Sequence, residues 1–331
     1  MKYVIFGGNG FVGSHLTSKL CGLGANVVIA DINKEVNPLI KDIEKELLSY
    51  KVVDIRIPSS FRDIKIDEDD IVINLAANQY HNKVPKNAKE YFFSTNVDGV
   101  RNILEFLKDS RCRKYIQFTT DMIYGKPQYL PVDTAHPQNP FGYYGQSKKK
   151  AEEICFDYRS KGFNISIFRP RMIVGPGRLG ILKKLFKLID WNLPVPTIGS
   201  GKNHYQMVSV FDCVDAVLKA IEKGVPNSEY NLGSDNPPSI NILLKNLIKK
   251  ANSKSILIPT YGPLIKVVLS LSSAIGFNLM YKEQYMIADE EYILDIQKTV
   301  EELDWKPKFN DSDMIYQAYK EFKDFNRNYR N

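Results

Sequence analysis

Tyr144 and Lys148 are four positions apart, a spacing that could serve proton transfer. The segment 144–148 opens a predicted helix (residues 147–158), and this spacing puts the phenol and the ammonium on one helix face. A tyrosine of pKa roughly 10 is a poor base at neutral pH unless a cation stabilises its phenolate. Lys148 would supply that cation, so the pair is predicted to transfer protons. The alternative is an exposed helical Tyr and Lys without a chemical role.

A polar cluster follows the predicted strand over residues 115–118 and contains Thr119, Thr120 and Asp121. Ligands of parallel sheets bind outside the carboxyl ends of the strands, which is where this cluster would lie. Thr120 could then hydrogen-bond a substrate hydroxyl while Tyr144 takes its proton.

The elements that must position these residues follow an alternating pattern. Continuous apolar strands alternate with helical segments, which predicts an α/β fold with a doubly wound parallel sheet. After Arg169 the connections become rich in Pro and Gly, which indicates a second, smaller substrate-binding domain. We predict a cofactor-binding Rossmann domain over residues 1–170 plus 208–236, and the substrate-binding domain over 171–207 plus 237–331. The predicted strands are residues 3–6, 26–30, 51–53, 71–75, 115–118 and 165–168.

A glycine-rich loop directly follows the first predicted strand and precedes a helix. Gly8, Gly10 and Gly13 match the pattern GxGxxG, and Gly7, Gly10 and Gly13 match the variant GxxGxxG. Loops of this kind bring their backbone close to a pyrophosphate at a helix N-terminus. Asp31 ends the second strand, where an acidic side chain binds ribose hydroxyls and repels a 2′-phosphate. This favours NAD over NADP, although Lys34 leaves NADP open. Residues after the next two strands could line the adenine and ribose: Asp54, Ile55, Leu75, Ala76 and Ala77.

Composition and charge exclude several classes of protein. The chain has 331 residues, 44% of them apolar, and its 45 basic and 38 acidic side chains give a net charge of +7. This excess of positive charge is too small to indicate nucleic-acid binding. The sequence also lacks the stripe of basic residues interleaved with aromatics that such binding requires. The four scattered cysteines and the absence of a secretory signal pattern predict a reducing, cytoplasmic location. The sequence contains no cluster of carboxylates and histidines that would predict a metal site.

The longest segment without charge lies between Lys266 and Lys282 and is shorter than the ~20 residues of a membrane-spanning helix. Its leucine, isoleucine and valine residues recur at helical spacing over residues 264–279. We interpret it as a core or subunit-interface helix, with peripheral membrane contact as the alternative.

Taken in order, these motifs resemble the extended short-chain dehydrogenases/reductases of the NAD-dependent epimerase/dehydratase type. The resemblance covers nearly the whole chain and implies a Rossmann fold, bound NAD(P) and homodimers. It implies that Tyr144 is the base, that Lys148 holds the nicotinamide ribose, and that Thr120 and Asp121 complete the catalytic group. The cofactor contacts that it implies, beside those above, are Gly7, Gly10, Phe11, Val12, Gly13, Asn96, Tyr144, Lys148 and Pro170.

Two departures from the family pattern bear on the reaction and the substrate. Met122 stands where nucleotide-sugar 4,6-dehydratases carry a basic Glu, and a thioether cannot take a proton, which argues against dehydration. Tyr205 stands where many sugar-nucleotide enzymes place an Arg for the diphosphate. Arg171, Arg178 or Lys202 could compensate. His81, after the fourth strand, could also reach the substrate.

The leading hypothesis is an NAD-dependent epimerase or dehydrogenase of a nucleotide-activated sugar. The first alternative keeps the chemistry and changes the substrate to a lipophilic alcohol or ketone. It is motivated by Tyr205 and by the uncharged segment, which resembles the 3-beta-hydroxysteroid dehydrogenase branch. The second alternative is a non-catalytic NAD(H)-binding regulator. Because fold alone does not determine the reaction, the sequence leaves the exact substrate open.

Overall fold

The computed structural model describes residues 1–80, 84–274 and 280–328. The strands are β1 (Tyr3–Phe6), β2 (Val27–Asp31), β3 (Leu48–Val52), β4 (Ile71–Asn74), β5 (Lys114–Phe118), β6 (Asn164–Pro170), β7 (Met172–Val174), β8 (Val195–Thr197), β9 (Met207–Ser209), β10 (Glu229–Leu232) and β11 (Leu257–Pro259). The helices are α1 (Phe11–Gly22), α2 (Ala88–Phe93), α3 (Gly99–Lys108), α4 (Tyr143–Ser160), α5 (Leu182–Asp190), α6 (Val210–Glu222), α7 (Ile240–Lys250), α8 (Gly262–Ala274), α9 (Lys282–Met286), α10 (Gln297–Leu303) and α11 (Asp311–Asn328).

Seven parallel strands form one sheet in the order β10-β6-β5-β4-β1-β2-β3. The predicted α/β doubly wound Rossmann fold is therefore confirmed. Strands β1 and β4 are apolar and fully buried because helices cover both faces of the sheet. The strand order reverses between β1 and β4, so the loops after these strands diverge and open a crevice for a ligand.

Two hydrophobic clusters cover the two faces of the sheet. One packs α1 and α6 on the sheet and contains Leu16, Val217 and Trp305, whose indole Nε1 donates a hydrogen bond to the Asp212 carbonyl at 3.0 Å. The other packs α3 and α4 on the opposite face and contains Leu104 and Ile154. Burial of both faces fixes the strand ends, and with them the loops that carry the site.

Some predicted boundaries differ from those observed. The third strand covers 48–52 rather than 51–53. It lies at the sheet edge and none of its residues is fully buried, so its apolar pattern is weak. The helix predicted over 147–158 begins at Tyr143, so Tyr144 lies in its first turn. Residues 264–274 of the helical pattern predicted over 264–279 belong to α8, whereas 275–279 lie outside the described residues.

A third cluster lies outside the main sheet and packs α5, α7 and α11 together through Phe186, Leu247 and Phe322. Two small parallel sheets, β7 with β9 and β8 with β11, belong to the same part of the chain. The division into two domains at the predicted residues stays a prediction.

Across residues 1–80, 84–274 and 280–328, no helix is both long and apolar enough to cross a bilayer. The same residues contain no group of three or more metal-ligating side chains. All four cysteines are buried free thiols.

Candidate active site

A cavity of about 1910 Å³ runs along the carboxyl ends of the sheet strands. It extends from Asp31 at β2, past Thr120 and Tyr144, to Leu243 in α7. Pockets for a single small ligand usually measure about 300–1,000 Å³. The cavity is therefore large enough for a dinucleotide and a second ligand side by side.

The glycine loop forms the floor of one half of this cavity. Gly7 has a φ of +76°, a left-handed conformation that favours glycine, and a Cβ there would lie 2.5 Å from the Ala76 nitrogen. A Cβ on Gly13 would lie 2.2 Å from the Gly7 carbonyl oxygen. Gly10 precedes α1 and contributes no side-chain cap, which leaves the helix N-terminus accessible to an anion. Backbone at this loop thus fits a pyrophosphate.

Gly13→Ala is expected to lower the free energy of unfolding by about 1–3 kcal/mol, because a methyl group must displace backbone. It should also weaken NAD binding, since the loop cannot shift without moving its N–H groups. Urea denaturation and calorimetric titration with NAD measure the two effects.

Gly22→Ala is the matched control at the other end of α1, where a Cβ would contact nothing within 4 Å. This variant should keep NAD affinity and change stability by no more than about 1 kcal/mol. Equal behaviour of the two variants would contradict the role of Gly13.

Asp31 lies buried at the end of β2, on the wall of the cavity. Its carboxylate accepts hydrogen bonds from the Asn9 backbone nitrogen at 3.1 Å and from the Asn33 backbone and side-chain nitrogens, both at 3.0 Å. These donors hold a negative charge at this wall, which fits a pair of ribose hydroxyls and repels a phosphate.

Most of the other predicted cofactor residues line the same half of the cavity. They are Phe11, Val12, Asp54, Ile55, Leu75, Ala76, Ala77 and Pro170. The pKa of Asp54 is lowered by its hydrogen-bonded ion pair with Arg56. Asn96 does not line the cavity; it lies behind the wall, where its side chain binds the Asn78 backbone nitrogen at 2.9 Å and the Ser147 hydroxyl at 3.0 Å.

Tyr144 and Lys148 lie on the cavity side of α4, where the two halves of the cavity meet. The Lys148 ammonium donates a hydrogen bond to the Phe118 carbonyl at 3.0 Å, and burial lowers its pKa to about 8. Burial raises the pKa of the Tyr144 phenol, whereas the positive charge of Arg178 and a hydrogen bond with Thr120 lower it. The phenol therefore needs a further positive charge in the cavity before it can act as a base at neutral pH.

Thr120 and Asp121 belong to one hydrogen-bonded group after β5. The Thr120 hydroxyl contacts the Asp121 carboxylate at 3.1 Å, and the other carboxylate oxygen forms a buried ion pair with Arg171. The Tyr292 hydroxyl donates to the Asp121 carbonyl at 3.0 Å. The Asp121 carboxylate thus has a polar partner on each of its two oxygens.

Arg171 presents an unpaired edge beside this group. Its guanidinium carbon lies 4.2 Å from the Tyr205 ring centroid and 3.9 Å from that of Tyr292, so aromatic rings lie close to it. Its Nε and Nη2 atoms are buried and have no hydrogen-bond partner within the described part of the chain. Arg169, two residues earlier, places the same two atoms on the Glu152 carboxylate at 2.9 and 2.6 Å. The free edge of Arg171 is thus a pair of donors for two adjacent oxygens.

The predicted substrate residues are divided by their position. Met122, Arg171, Arg178 and Tyr205 line the cavity. Arg178 donates a hydrogen bond to the Gln79 side-chain oxygen at 2.7 Å. Lys202 is exposed and does not line the cavity, and His81 lies outside the described residues.

Glu283 is a residue that sequence reasoning missed. Its buried carboxylate accepts hydrogen bonds from the backbone nitrogens of Tyr144 at 3.2 Å and Gly145 at 3.3 Å, and from the Tyr80 hydroxyl at 2.6 Å. It therefore caps the first turn of α4, which carries Tyr144. A contact across 139 residues leaves no local sequence signal.

Glu283→Ala is expected to lower the free energy of unfolding by about 1–2 kcal/mol, the usual effect of losing a helix cap. It should also reduce kcat more than it changes KM, because the first turn of α4 sets the position of Tyr144. Steady-state kinetics and urea denaturation check both effects, and Glu283→Gln should restore part of kcat.

Asp212→Ala is the control, because Asp212 also accepts two backbone hydrogen bonds, from Lys308 and Phe309, yet does not line the cavity. It should lower stability and leave kcat unchanged. An equal loss of kcat in both alanine variants would show that Glu283 acts only through overall stability.

Comparison with known proteins shows similarity to enzymes that act on nucleotide sugars. The chain is 30% identical over 261 residues to a putative UDP-glucose 4-epimerase of Methanocaldococcus jannaschii, covering 72% of this chain and 79% of the relative. It is 28% identical over 269 residues to the human dTDP-D-glucose 4,6-dehydratase, covering 77% and 76% of the two chains.

The fold is similar to that of a solved UDP-glucuronic acid 4-epimerase from Bacillus cereus, in complex with UDP-glucuronic acid and NAD. The TM-score is 0.77 at 21% identity, over 98% of this chain and all of the other. The model of the NAD dependent epimerase/dehydratase family matches residues 3–233. The chain therefore belongs to the NAD dependent epimerase/dehydratase family.

Proposed function

We propose that this protein is an NAD-dependent epimerase or dehydrogenase that acts at a carbinol of a nucleotide-activated sugar. The observation that carries the proposal is the position of Tyr144, Lys148 and Thr120 at the junction of the two cavity halves. One half has the glycine loop and Asp31, which fit a dinucleotide, and the other is large enough for a second ligand.

The residues that would hold NAD are the glycine loop for the pyrophosphate, Asp31 for the adenosine ribose, and Lys148 for the nicotinamide ribose. Bound NAD would supply a hydride acceptor and, in its oxidised form, a positive charge. Asp31 favours NAD over NADP because its carboxylate repels a 2′-phosphate.

Tyr144 would take the proton of a sugar hydroxyl during oxidation and give a proton back when the ketone is reduced. Thr120, which hydrogen-bonds with the Tyr144 phenol, would hold that hydroxyl in place. The nearby charge of Arg178 favours the phenolate, and the Lys148 ammonium would add to this effect once it faces the phenol. These roles combine acid–base catalysis with orientation of the reacting group.

Dehydration is disfavoured by two features next to Tyr144. Met122 lines the cavity but has no group that can take a carbon-bound proton. The neighbouring Asp121 carboxylate is bound by Arg171 in an ion pair and is therefore not free to take that proton. Reversible oxidation, with or without inversion of the carbinol, is the reaction that remains.

A lipophilic alcohol or ketone is the second candidate substrate. The end of the cavity beyond Tyr205 is lined mostly by apolar side chains, which favours an apolar ligand portion. These side chains include Leu182, Leu185, Val195, Leu243, Leu244 and Ile315.

The proposal is tested by denaturing release of bound small molecules, followed by proton NMR of UDP- and dTDP-sugars incubated with the protein. Inversion at one carbinol carbon without added cofactor, together with released NAD(H), would support an epimerase. Conversion only with added NAD would support a dehydrogenase. Turnover of sterols alone would contradict the nucleotide-sugar substrate and support a lipophilic one. Binding of NAD without turnover of any substrate would contradict the proposal and support a non-catalytic regulator.

A further inference from the structure

Helix α8 has its apolar face towards solvent. Leu264, Val267, Val268 and Leu271 are 49% to 64% exposed and recur at spacings of three and four residues. This spacing forms one stripe on a helix, and in a globular protein such a stripe normally faces the core.

The opposite face of α8 is fixed against the protein. The Lys266 ammonium forms an ion pair with Asp289 at 2.5 Å and donates to the Met286 carbonyl at 2.9 Å, while Leu269 is buried. The only charged side chain in the described part of this helix thus points inward, and its orientation is held by a salt bridge. These contacts therefore fix the helix orientation in which the apolar stripe is exposed.

The exposed apolar stripe is continuous along the chain with the segment before it. Ile256, Ile258 and Tyr261 are also exposed, Tyr261 by 72%. Exposed Trp191 and Leu193 lie beside this segment, because the Val195 nitrogen donates to the Ile256 carbonyl at 2.9 Å. We call these residues and the α8 stripe together the apolar surface. Exposed apolar side chains that cluster in this way are typical of interaction sites.

The chain segment that carries α8 and β11 is basic. Residues 236–282 contain six lysines and no Asp or Glu. Lys249 and Lys254 are exposed in this segment. A surface of aliphatic side chains with Trp and Tyr, with exposed lysines in the same chain segment, is complementary to lipid acyl chains beneath anionic headgroups. A second copy would bring like charges together, which disfavours self-association.

The apolar surface also adjoins the substrate end of the cavity. Strand β11 pairs with β8, and Val195, Thr197 and Ile198 line the cavity. After α8, Met280 and Ile287 line it as well. The chain that carries the apolar surface therefore contacts the cavity wall on both sides of α8.

We propose that the apolar surface docks this protein on an anionic lipid bilayer, with α8 lying in the plane of the headgroups. Contact with the cavity wall at both ends of α8 places the substrate half of the cavity next to the membrane. This inference does not depend on the proposed reaction, because vesicle binding requires no turnover.

Sedimentation of the full-length protein with phosphatidylglycerol/phosphatidylcholine vesicles tests the proposal. The wild type should sediment with these vesicles, less at high salt, and much less with phosphatidylcholine alone. Leu264→Gln combined with Leu271→Gln should lower the partition coefficient by about tenfold or more, because two large apolar side chains are lost.

The control is Leu23→Gln combined with Val52→Gln, which changes two exposed apolar residues elsewhere on the protein and should leave vesicle binding unchanged. Because the α8 substitutions are at exposed positions, both variants should keep the wild-type melting temperature. No sedimentation of the wild type, or equal sedimentation of both double variants, would overturn the proposal. A dimer in sedimentation velocity that only the α8 variant dissociates would also overturn it, by assigning the surface to a second copy.

Discussion

Tyr144→Phe is expected to lower kcat by about a thousandfold, within the range for loss of a general acid–base group. Phenylalanine keeps the ring in its buried position against Tyr80 and Phe92 but removes the hydroxyl that takes the substrate proton. KM should change much less, because the lost hydroxyl acts on the proton that is transferred in the transition state rather than on substrate binding. Initial rates on an accepted nucleotide sugar measure the effect.

The pH dependence gives an independent test of the same residue. Burial raises the pKa of the Tyr144 phenol, so the phenolate fraction, and with it kcat, should increase with pH in the wild type. This increase should be absent in Tyr144→Phe.

Tyr143→Phe is the matched control, because Tyr143 is the preceding residue of α4 and its side chain is exposed. It should keep the wild-type kcat and pH profile. If Tyr144→Phe also kept the wild-type rate, Tyr144 could not be the base.

Arg171→Met is expected to lower the free energy of unfolding by about 3–5 kcal/mol, because it leaves the Asp121 carboxylate buried without its ion partner. Methionine fills much of the space between the Tyr205 and Tyr292 rings, so loss of charge rather than a cavity dominates. Urea denaturation measures the change.

The double variant Asp121→Asn with Arg171→Met should regain most of the lost stability, since it removes both charges. A double variant as unstable as Arg171→Met would show that the lost packing of Arg171, and not the unpaired carboxylate, is responsible.

Arg171→Lys distinguishes the role of the ion pair with Asp121 from the role of the free guanidinium edge. Lysine keeps a positive charge for Asp121 but lacks the side-by-side Nε and Nη2 donors. If that edge binds two sugar oxygens, KM should rise by about 10- to 100-fold, the loss expected for charge-assisted hydrogen bonds. An unchanged KM would show that Arg171 only neutralises Asp121.

The sequence by itself determined the fold class and the family, and it identified the residues of the candidate site. The glycine loop, Asp31, Thr120 and the Tyr144 and Lys148 pair are local patterns, in which one or a few neighbouring residues define the geometry. Their positions along strands and helices follow from the alternation of apolar segments, so the structure places all of them on one cavity. The homodimer, the cytoplasmic location and the domain boundaries stay predictions.

Only the tertiary structure decided which side chains surround Tyr144. Glu283 caps α4 from 139 residues away, and Asp121 is bound by Arg171 from 50 residues away, in contacts that no spacing rule encodes. Helical periodicity located the apolar stripe of α8, which we interpreted as core or subunit interface, with peripheral membrane contact as the alternative. The structure excludes the core, because the ion pair of Lys266 with Asp289 fixes the opposite face inward and leaves the stripe exposed. Periodicity reveals that a helix has two faces, whereas long-range contacts decide which of them is buried.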